Sequence, residues 1–371
     1  MRVRCHECGS EAEFKLAEWR CPCGGAWEPA ILPPFESSKI SGDDYSIWRY
    51  GKMLGLDIES PIKRMGVGWT PLVPVDMYGL KVNLKLEYLS PSGSFKDRGV
   101  NAMVNQLVFM GANMMVEDSS GNAGASLAAH SARFGIKSKI FVPDYASPNK
   151  LAQISIYGVE VVPIAGPRKA AEDAAQAFAG IRRAYASHAY NPAYLVGQMT
   201  AAWELWEQLG QKTPDWVLCP VAQGGLLLGL WFGFKRLFDA GLIERLPRLV
   251  ALQSAQIAPI YEAWRHDQDQ VKTIEASGPT VAEGVAISRP ARGRRLLQAL
   301  KDTDGKVLAI GEDAILKAQE DLAHLGYHVE PTSALAVAGL KELLNCLKNT
   351  DTIVIPLTGN GLKGKPKYQQ R

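Results

Sequence analysis

Ser90-Pro91-Ser92-Gly93-Ser94-Phe95-Lys96-Asp97-Arg98-Gly99 joins a strand-like run over 81–88 to a helix-like run over 100–110. It sets one lysine at a strand-to-helix junction, behind a turn of small residues and beside a phenylalanine. A merely solvated lysine has no need of such a setting. In an enclosed site an amine loses its proton more readily, because desolvation disfavours the ammonium form. Such an amine can form an imine with a carbonyl cofactor. The alternative reading of the same residues is a helix-start lysine beside an Asp97/Arg98 pair.

Three further turns share this placement. Ser119-Ser120-Gly121-Asn122-Ala123-Gly124 follows the apolar run Met114-Met115-Val116 and opens a helical stretch over 125–134, with Gly135 as a C′ residue. Small residues at a helix start let backbone N–H groups converge on an anion, here a carboxylate. Pro220-Val221-Ala222-Gln223-Gly224-Gly225-Leu226 lies between an apolar strand over 216–221 and an apolar helix over 226–238. Adjacent glycines allow close backbone approach to a phosphate. Leu357-Thr358-Gly359-Asn360-Gly361-Leu362-Lys363 follows a strand-like 352–356 and aims a hydroxyl. Each turn alone could be a capped helix or a polar loop.

Strand-like segments over 82–87, 114–117, 139–142, 160–163, 216–221, 249–252 and 352–357 alternate with helix-like segments over 148–157, 169–185, 197–209, 313–325 and 332–347. Alternation of this kind predicts α/β layers on mainly parallel sheets. The site should lie beyond the carboxyl ends of the strands, where the glycine turns fall.

Taken in order, with Thr70-Pro71-Leu72 upstream and Glu330-Pro331-Thr332-Ser333-Ala334 downstream, these segments resemble the threonine synthase family. More broadly they resemble the tryptophan-synthase-β-like, fold-type-II pyridoxal-phosphate enzymes. The resemblance runs from about 70 to 363 and is carried most specifically by Ser94-Phe95-Lys96-Asp97-Arg98-Gly99 and Leu357-Thr358-Gly359-Asn360-Gly361-Leu362-Lys363. It implies two three-layer α/β domains built on parallel sheets. The larger would be formed by 31–99 and 191–371, and a smaller, mobile one by 100–190. It implies that Lys96 holds pyridoxal 5′-phosphate and, once freed by an incoming amino acid, removes the α-proton. Asn122 would bond the ring hydroxyl. Ser119, Ser120, Gly121 and Asn122 would hold the substrate carboxylate. Gln223, Gly224, Gly225 and Leu226 would cradle the 5′-phosphate. Thr358 would face the pyridine nitrogen, where a neutral hydroxyl does not favour a protonated ring.

For that family the reaction is conversion of O-phospho-L-homoserine and water to L-threonine and phosphate. The chain departs from the pattern around the substrate phosphate. Ala123 stands where threonine is familiar, Tyr194 where arginine is, and Asn360 where histidine is common. An arginine fork binds a phosphate dianion, and tyrosine cannot supply that charge. Either Arg98, Lys150 or Arg168 compensates, or the leaving group is not phosphate. The alternative is another β-elimination or β-replacement on a small amino acid, as in threonine/serine dehydratases or cysteate-synthase-like enzymes.

Four of six cysteines lie in the first 23 residues, as Cys5-x2-Cys8 and Cys21-x-Cys23, around a strand-forming stretch over 12–19. Two close thiol pairs suit a structural zinc in a small zinc-ribbon-like module over 1–30. Disulfide pairing is the alternative. His6 is expected to point away. Cys219 and Cys346 read as buried thiols. A net charge of +3 over 371 residues implies no nucleic-acid partner. The apolar window 216–234 is broken by Pro220, Gln223 and glycines, so no membrane span is expected. Met1-Arg2-Val3-Arg4-Cys5 has no apolar leader, and a cytoplasmic enzyme is expected, working as a homodimer on a small amino acid. Trp203 and Trp206, at helical spacing, read as core.

Overall fold

The computed structural model describes residues 1–58 and 62–364. Strands β1 (Arg2–Cys5), β2 (Glu11–Glu13) and β3 (Trp27–Pro29) come first, then β4 (Leu72–Met77) and β5 (Leu80–Lys85). Next are α1 (Lys96–Phe109), β6 (Met114–Glu117), α2 (Asn122–Phe134), β7 (Lys137–Pro143), α3 (Pro148–Ser155), β8 (Glu160–Ile164), α4 (Arg168–Phe178) and β9 (Arg183–Tyr185). α5 (Pro192–Gln208) leads to β10 (Trp216–Pro220), α6 (Gly225–Asp239), β11 (Arg248–Ser254), α7 (Pro259–Arg265) and α8 (Gly293–Asp302). β12 (Lys306–Ile310), α9 (Glu312–His324), α10 (Pro331–Glu342) and β13 (Ile353–Pro356) complete the order.

The chain divides into two compact units. Among the described residues, the first lies within 1–69, 90–92 and 96–200, and the second within 70–89, 93–95 and 201–364. Residues 31–69, 90–92, 96–99 and 191–200, grouped with the larger domain on sequence grounds, cluster here with 100–190.

In the first unit, a parallel sheet of order β8-β7-β6-β9 carries helices on both faces. Strand alternation sorts its residues. Met115 packs with Val100 and Met103 of α1, and Ile140 and Val142 pack with Ala125 and Ala128 of α2. Val116 and Phe141 face the other way, onto Ala171 and Ala175 of α4. The antiparallel sheet β2-β1-β3 shares the α1 core: Val3, Cys5, Phe14, Cys21 and Trp27 are buried with Val100, Val104 and Leu107.

In the second unit the sheet order is β12-β11-β10-β13-β5-β4, parallel except for β4 at one edge. Trp216, Leu218, Val250 and Leu252 share a core with Leu335 and Leu340 of α10 and Ile315 and Leu322 of α9. Beneath β5, Lys85 is buried and donates to Glu204 (2.9 Å), to Gln208 (2.8 Å) and to the Thr70 carbonyl (2.7 Å). Every hydrogen of its ammonium group therefore has a partner, which is what a buried charge requires. Trp203 and Trp206 are buried as expected.

Several sequence expectations need correction. The helix expected over 169–185 ends at Phe178. Ala179 is extended, Gly180 and Arg183 exchange hydrogen bonds across a tight turn, and Arg183–Tyr185 pairs with β6. α5 begins at Pro192 rather than at 197, with the Asn191 side chain accepting the Ala193 N–H. It is buried nearly all round in its first turns, so no amphipathic stripe marks its start. The strand expected over 12–19 shrinks to Glu11–Glu13, because 15–18 form a turn closed by Glu18 N–H to the Lys15 carbonyl. Cys346 is exposed in a short 3-10 turn, not buried; Cys219 is buried. The unexpected strands β4 and β12 lie at the two edges of their sheet, where the apolar pattern is weakest. Among the described residues no helix is long and apolar enough to cross a membrane.

Candidate active site

In the second unit, three neighbouring strands, β10, β13 and β5, run parallel. Each releases its chain at the same end of the sheet into one of the glycine-bearing turns. From β10 the chain reaches Gln223, Gly224, Gly225 and Leu226. Gly224 has φ +78°, and a Cβ built on it would lie 2.3 Å from a Leu296 methyl carbon, so only glycine fits without strain. α6 starts immediately after it, with no side-chain cap and no acidic residue in its first turn. The first N–H groups of a helix have no partner within it. Here Leu226 and Leu227 bring those groups to a buried helix end. That donor set suits a phosphate. The Gln223 side chain is engaged elsewhere, accepting the Ala291 N–H at 2.8 Å.

From β13 the chain reaches Thr358, which is buried, with its Oγ1 3.1 Å from Ser333 Oγ. Ser333 Oγ also accepts the Gly359 N–H at 2.8 Å. This turn is pinned to the segment that follows β5. The Phe95 N–H donates to the Thr358 carbonyl (3.0 Å), Ser94 bridges Gly359, and the Asn360 N–H donates to Gly93 (3.0 Å). Lys96 is the next residue in the chain.

In the first unit, Lys96 is half-buried at the start of α1. Behind it, the fully buried Asp97 accepts from the Ser92 N–H (2.7 Å), the Ser92 hydroxyl (2.5 Å) and the Ser126 hydroxyl (2.5 Å). These bonds tie the first turn of α1 to 90–92 and to α2. The turn 119–122 lies between β6 and α2. Ser119 is buried, and Ser120, Gly121 and Asn122 are partly exposed. Gly121 is the extended N-cap of α2 and offers no side-chain cap, and its N–H donates to Ser119 Oγ at 3.2 Å. A Cβ on Gly124 would stand 1.9 Å from the Ser119 carbonyl oxygen. Helix and turn are thus packed as closely as backbone allows.

Tyr194, at the position of the familiar arginine, is buried. Its ring lies where a Cβ on Gly99 would be 2.4 Å away, one turn along α1 from Lys96. Burial pushes its phenol well above the ordinary tyrosine range, so it stays neutral. Of the cations considered as substitutes, Arg98 is buried and donates to Thr200 Oγ1 at 3.1 Å, and Arg168 is paired with Asp118 at 3.4 Å.

Sequence reasoning passed over the acids just before the turn 119–122. Glu117 Oε1 lies 2.8 Å from His188 Nδ1, and the Tyr185 hydroxyl donates to Asp118 Oδ1 at 2.7 Å. Two consecutive acids at the carboxyl end of an apolar strand were the available signal.

The four N-terminal thiols meet: all four Sγ atoms lie within 4.8 Å of one another, with Cys5 to Cys23 at 3.5 Å and Cys8 to Cys21 at 3.6 Å. Four ligands at about 2.3 Å from a tetrahedral zinc would stand about 3.8 Å apart, so the cluster has the size of that ion. A Cβ on Gly25 would come 2.6 Å from Cys5 Sγ, and Gly9 and Gly24 take positive φ in the two knuckles. His6 lies outside the sulfur cluster, against the Ala26 carbonyl and Glu7.

The second unit offers a glycine turn at a helix start, whose backbone suits a phosphate, and a buried hydroxyl turn; the first offers a helix-start lysine. The family description "Pyridoxal-phosphate dependent enzyme" matches residues 63–359, and the chain belongs to that family. Among its relatives, threonine synthase of Methanocaldococcus jannaschii is 33% identical over 98% of this chain and 93% of its own length. Threonine synthase of Methanosarcina acetivorans is 31% identical over 97% and 92%. A solved threonine deaminase, from the source abbreviated T.th., superposes with a TM-score of 0.68 at 28% identity, covering 80% of this chain and 94% of that one. The fold is therefore that of the fold-type-II enzymes.

Proposed function

We propose that this chain is a threonine synthase, taking O-phospho-L-homoserine and water to L-threonine and phosphate. The observation that carries the reading is the extent of its likeness to threonine synthases. The match reaches 98% of the chain, whereas the deaminase fold accounts for 80%. When bound through Lys96, pyridoxal phosphate supplies an electron sink for charge left at the substrate α-carbon. The chain's own residues do the rest. Lys96 takes the α-proton as a general base. The turn Ser119, Ser120, Gly121, Asn122 would hold the substrate carboxylate at the start of α2, and Asn122 would bond the ring hydroxyl. The backbone of Gln223, Gly224, Gly225 and Leu226 would hold the phosphate, and the Thr358 hydroxyl would be the partner for the ring nitrogen. The enzyme acts on a small amino acid in the cytoplasm, as a homodimer.

A second reading rests on Tyr194. Its neutral, buried phenol supplies no positive charge at the position of the familiar arginine, and Arg168 is already paired with Asp118. That favours a β-elimination or β-replacement with a different leaving group. Purified enzyme offered phosphohomoserine should release one phosphate per threonine formed. Keto-acid release from threonine or serine, with phosphohomoserine untouched, would replace the first reading by the second.

The same proposal assigns one structural zinc to Cys5, Cys8, Cys21 and Cys23. A closed four-sulfur site has no open position and takes no part in the reaction. Metal analysis should find one zinc per chain. Cys21→Ser should cost about 3 kcal/mol or more in thermal unfolding, since ligand loss removes binding energy that is also folding energy. A metal-free protein with unchanged stability would remove the assignment.

A further inference from the structure

The cysteine-bearing module meets the rest of the first unit on two sides of one strand. Val3, Cys5 and Trp27 share the α1 core with Ala184 and Ala186 of β9. Trp19 packs on the opposite face, against the cluster that holds Tyr185 of β9 and Ala171 of α4. β9 ends its sheet, so the module clasps an edge strand from both faces. Trp19 also makes one specific contact there. Its indole meets the Tyr185 ring edge-on, with centroids 4.8 Å apart and planes at 74°, and meets the Tyr190 ring at 5.0 Å and 75°. Aromatic pairs favour this geometry over a face-to-face stack.

The segment carrying Trp19 is pinned on either side of it. The Glu18 carbonyl accepts the Trp27 indole N–H at 2.9 Å, and the Cys21 N–H donates to the Gly25 carbonyl at 3.0 Å. Tyr185 is 2% exposed, and its hydroxyl donates to Asp118 Oδ1 at 2.7 Å. Burial, then the Asp118 charge, holds that phenol well above its ordinary range, so it remains a donor. The other oxygen of the buried Asp118 lies 3.4 Å from Arg168. Asp118 is the residue that enters the turn 119–122. On the far side of Ser119 stands the backbone of α2, so close that Gly124 has no room for a Cβ. Ser119 therefore sits between two supports, the α2 backbone and the anchored Asp118, while Ser120, Gly121 and Asn122 are partly exposed.

We propose that Trp19 is a positioning residue: it fixes the Tyr185 ring, the Tyr185 hydroxyl fixes Asp118, and the amino-terminal module thereby sets the shape of the turn 119–122 for the substrate carboxylate. Every contact in this series lies within the first unit. A tryptophan that only covered a strand edge could be any apolar side chain of similar size. Here the indole limits where the phenol can stand. A ring displaced by about 1 Å carries a 2.7 Å hydrogen bond out of reach. The bond at stake runs to a carboxylate, which is the stronger kind. The inference rests on the proposed role of the turn in holding the carboxylate, but not on which amino acid is consumed.

The test follows hydrogen exchange at the amides of 119–122 in the full-length holoenzyme without substrate. Trp19→Leu and Tyr185→Phe should each speed that exchange by about tenfold, the effect of losing one hydrogen bond to a charged group. The amides of 224–226 should keep their wild-type rates. Trp19→Phe, whose smaller ring still offers an edge to Tyr185, should lie between, at about threefold. Residues acting through one series of contacts are not additive, so the double variant should exchange about tenfold faster and not about a hundredfold. In steady state, KM for the amino acid should rise by about tenfold in both single variants, with kcat within about twofold of wild type. Unchanged exchange at 119–122 in Tyr185→Phe, or additive effects in the double variant, overturns the proposal. Faster exchange with an unchanged KM upholds the brace and removes the carboxylate from this turn, so the two failures are told apart. If Trp19→Leu fails to fold, Trp19→Phe decides, and wild-type exchange in it overturns the proposal.

Discussion

Lys96→Ala should lower turnover by at least about 10⁴-fold, because it removes both the covalent anchor and the general base. The fold should survive. Lys96 is half-buried at a helix start, and alanine is the best helix former. The bonds that pin this turn belong to its neighbours: Asp97 to Ser92 and Ser126, and the Phe95 N–H to Thr358. Borohydride treatment of the wild-type holoenzyme should fix the cofactor on the peptide containing Lys96 and on none in the variant. Labelling of another lysine, or a variant retaining a tenth of wild-type turnover, would defeat the reading of this site.

Gly124→Ala should be the most damaging substitution of a residue that need touch neither substrate nor cofactor. At an open helical position alanine stabilises by roughly 1 kcal/mol over glycine. Here its Cβ would stand 1.9 Å from the Ser119 carbonyl oxygen and 3.0 Å from the Ser119 carbonyl carbon, and backbone cannot swing aside as a side chain can. Overpacking of this kind costs about 3 kcal/mol, the reverse of the helix expectation. The turn carrying Ser119, Ser120, Gly121 and Asn122 must move. KM for the amino acid should therefore rise by about 100-fold or more, since a misplaced turn loses its carboxylate hydrogen bonds. Unfolding and steady-state measurements together check this. A more stable variant with unchanged KM would show that the turn has slack.

The site was legible in the sequence where backbone demands are strict. Gly224 needs a positive φ, Gly124 needs an absent Cβ, and Lys96 needs the helix start that follows a turn of small residues. Each demand leaves a residue type that few alternatives satisfy. Gly135 was legible for the same reason, with φ +66° at the end of α2. The start of α5 was hidden because a helix buried nearly all round has no stripe. β9 was hidden because three residues, Arg183–Tyr185, become a strand only through pairing with β6. The Glu117–His188 pair joins residues 71 apart, and no local pattern announces a contact made by tertiary packing. The four cysteines needed no such help, because two close thiol pairs lie within the first 23 residues.

The thirty residues around the thiol cluster do more than decorate the start of the chain. Val3, Cys5, Phe14, Leu16 and Trp27 form the far wall of the core on which Val100, Met103, Val104 and Leu107 rest, and these belong to the helix that Lys96 begins. Trimming them would strip an oily stripe of that helix bare to water. A chain without this segment would need polar side chains along that stripe to stay in solution.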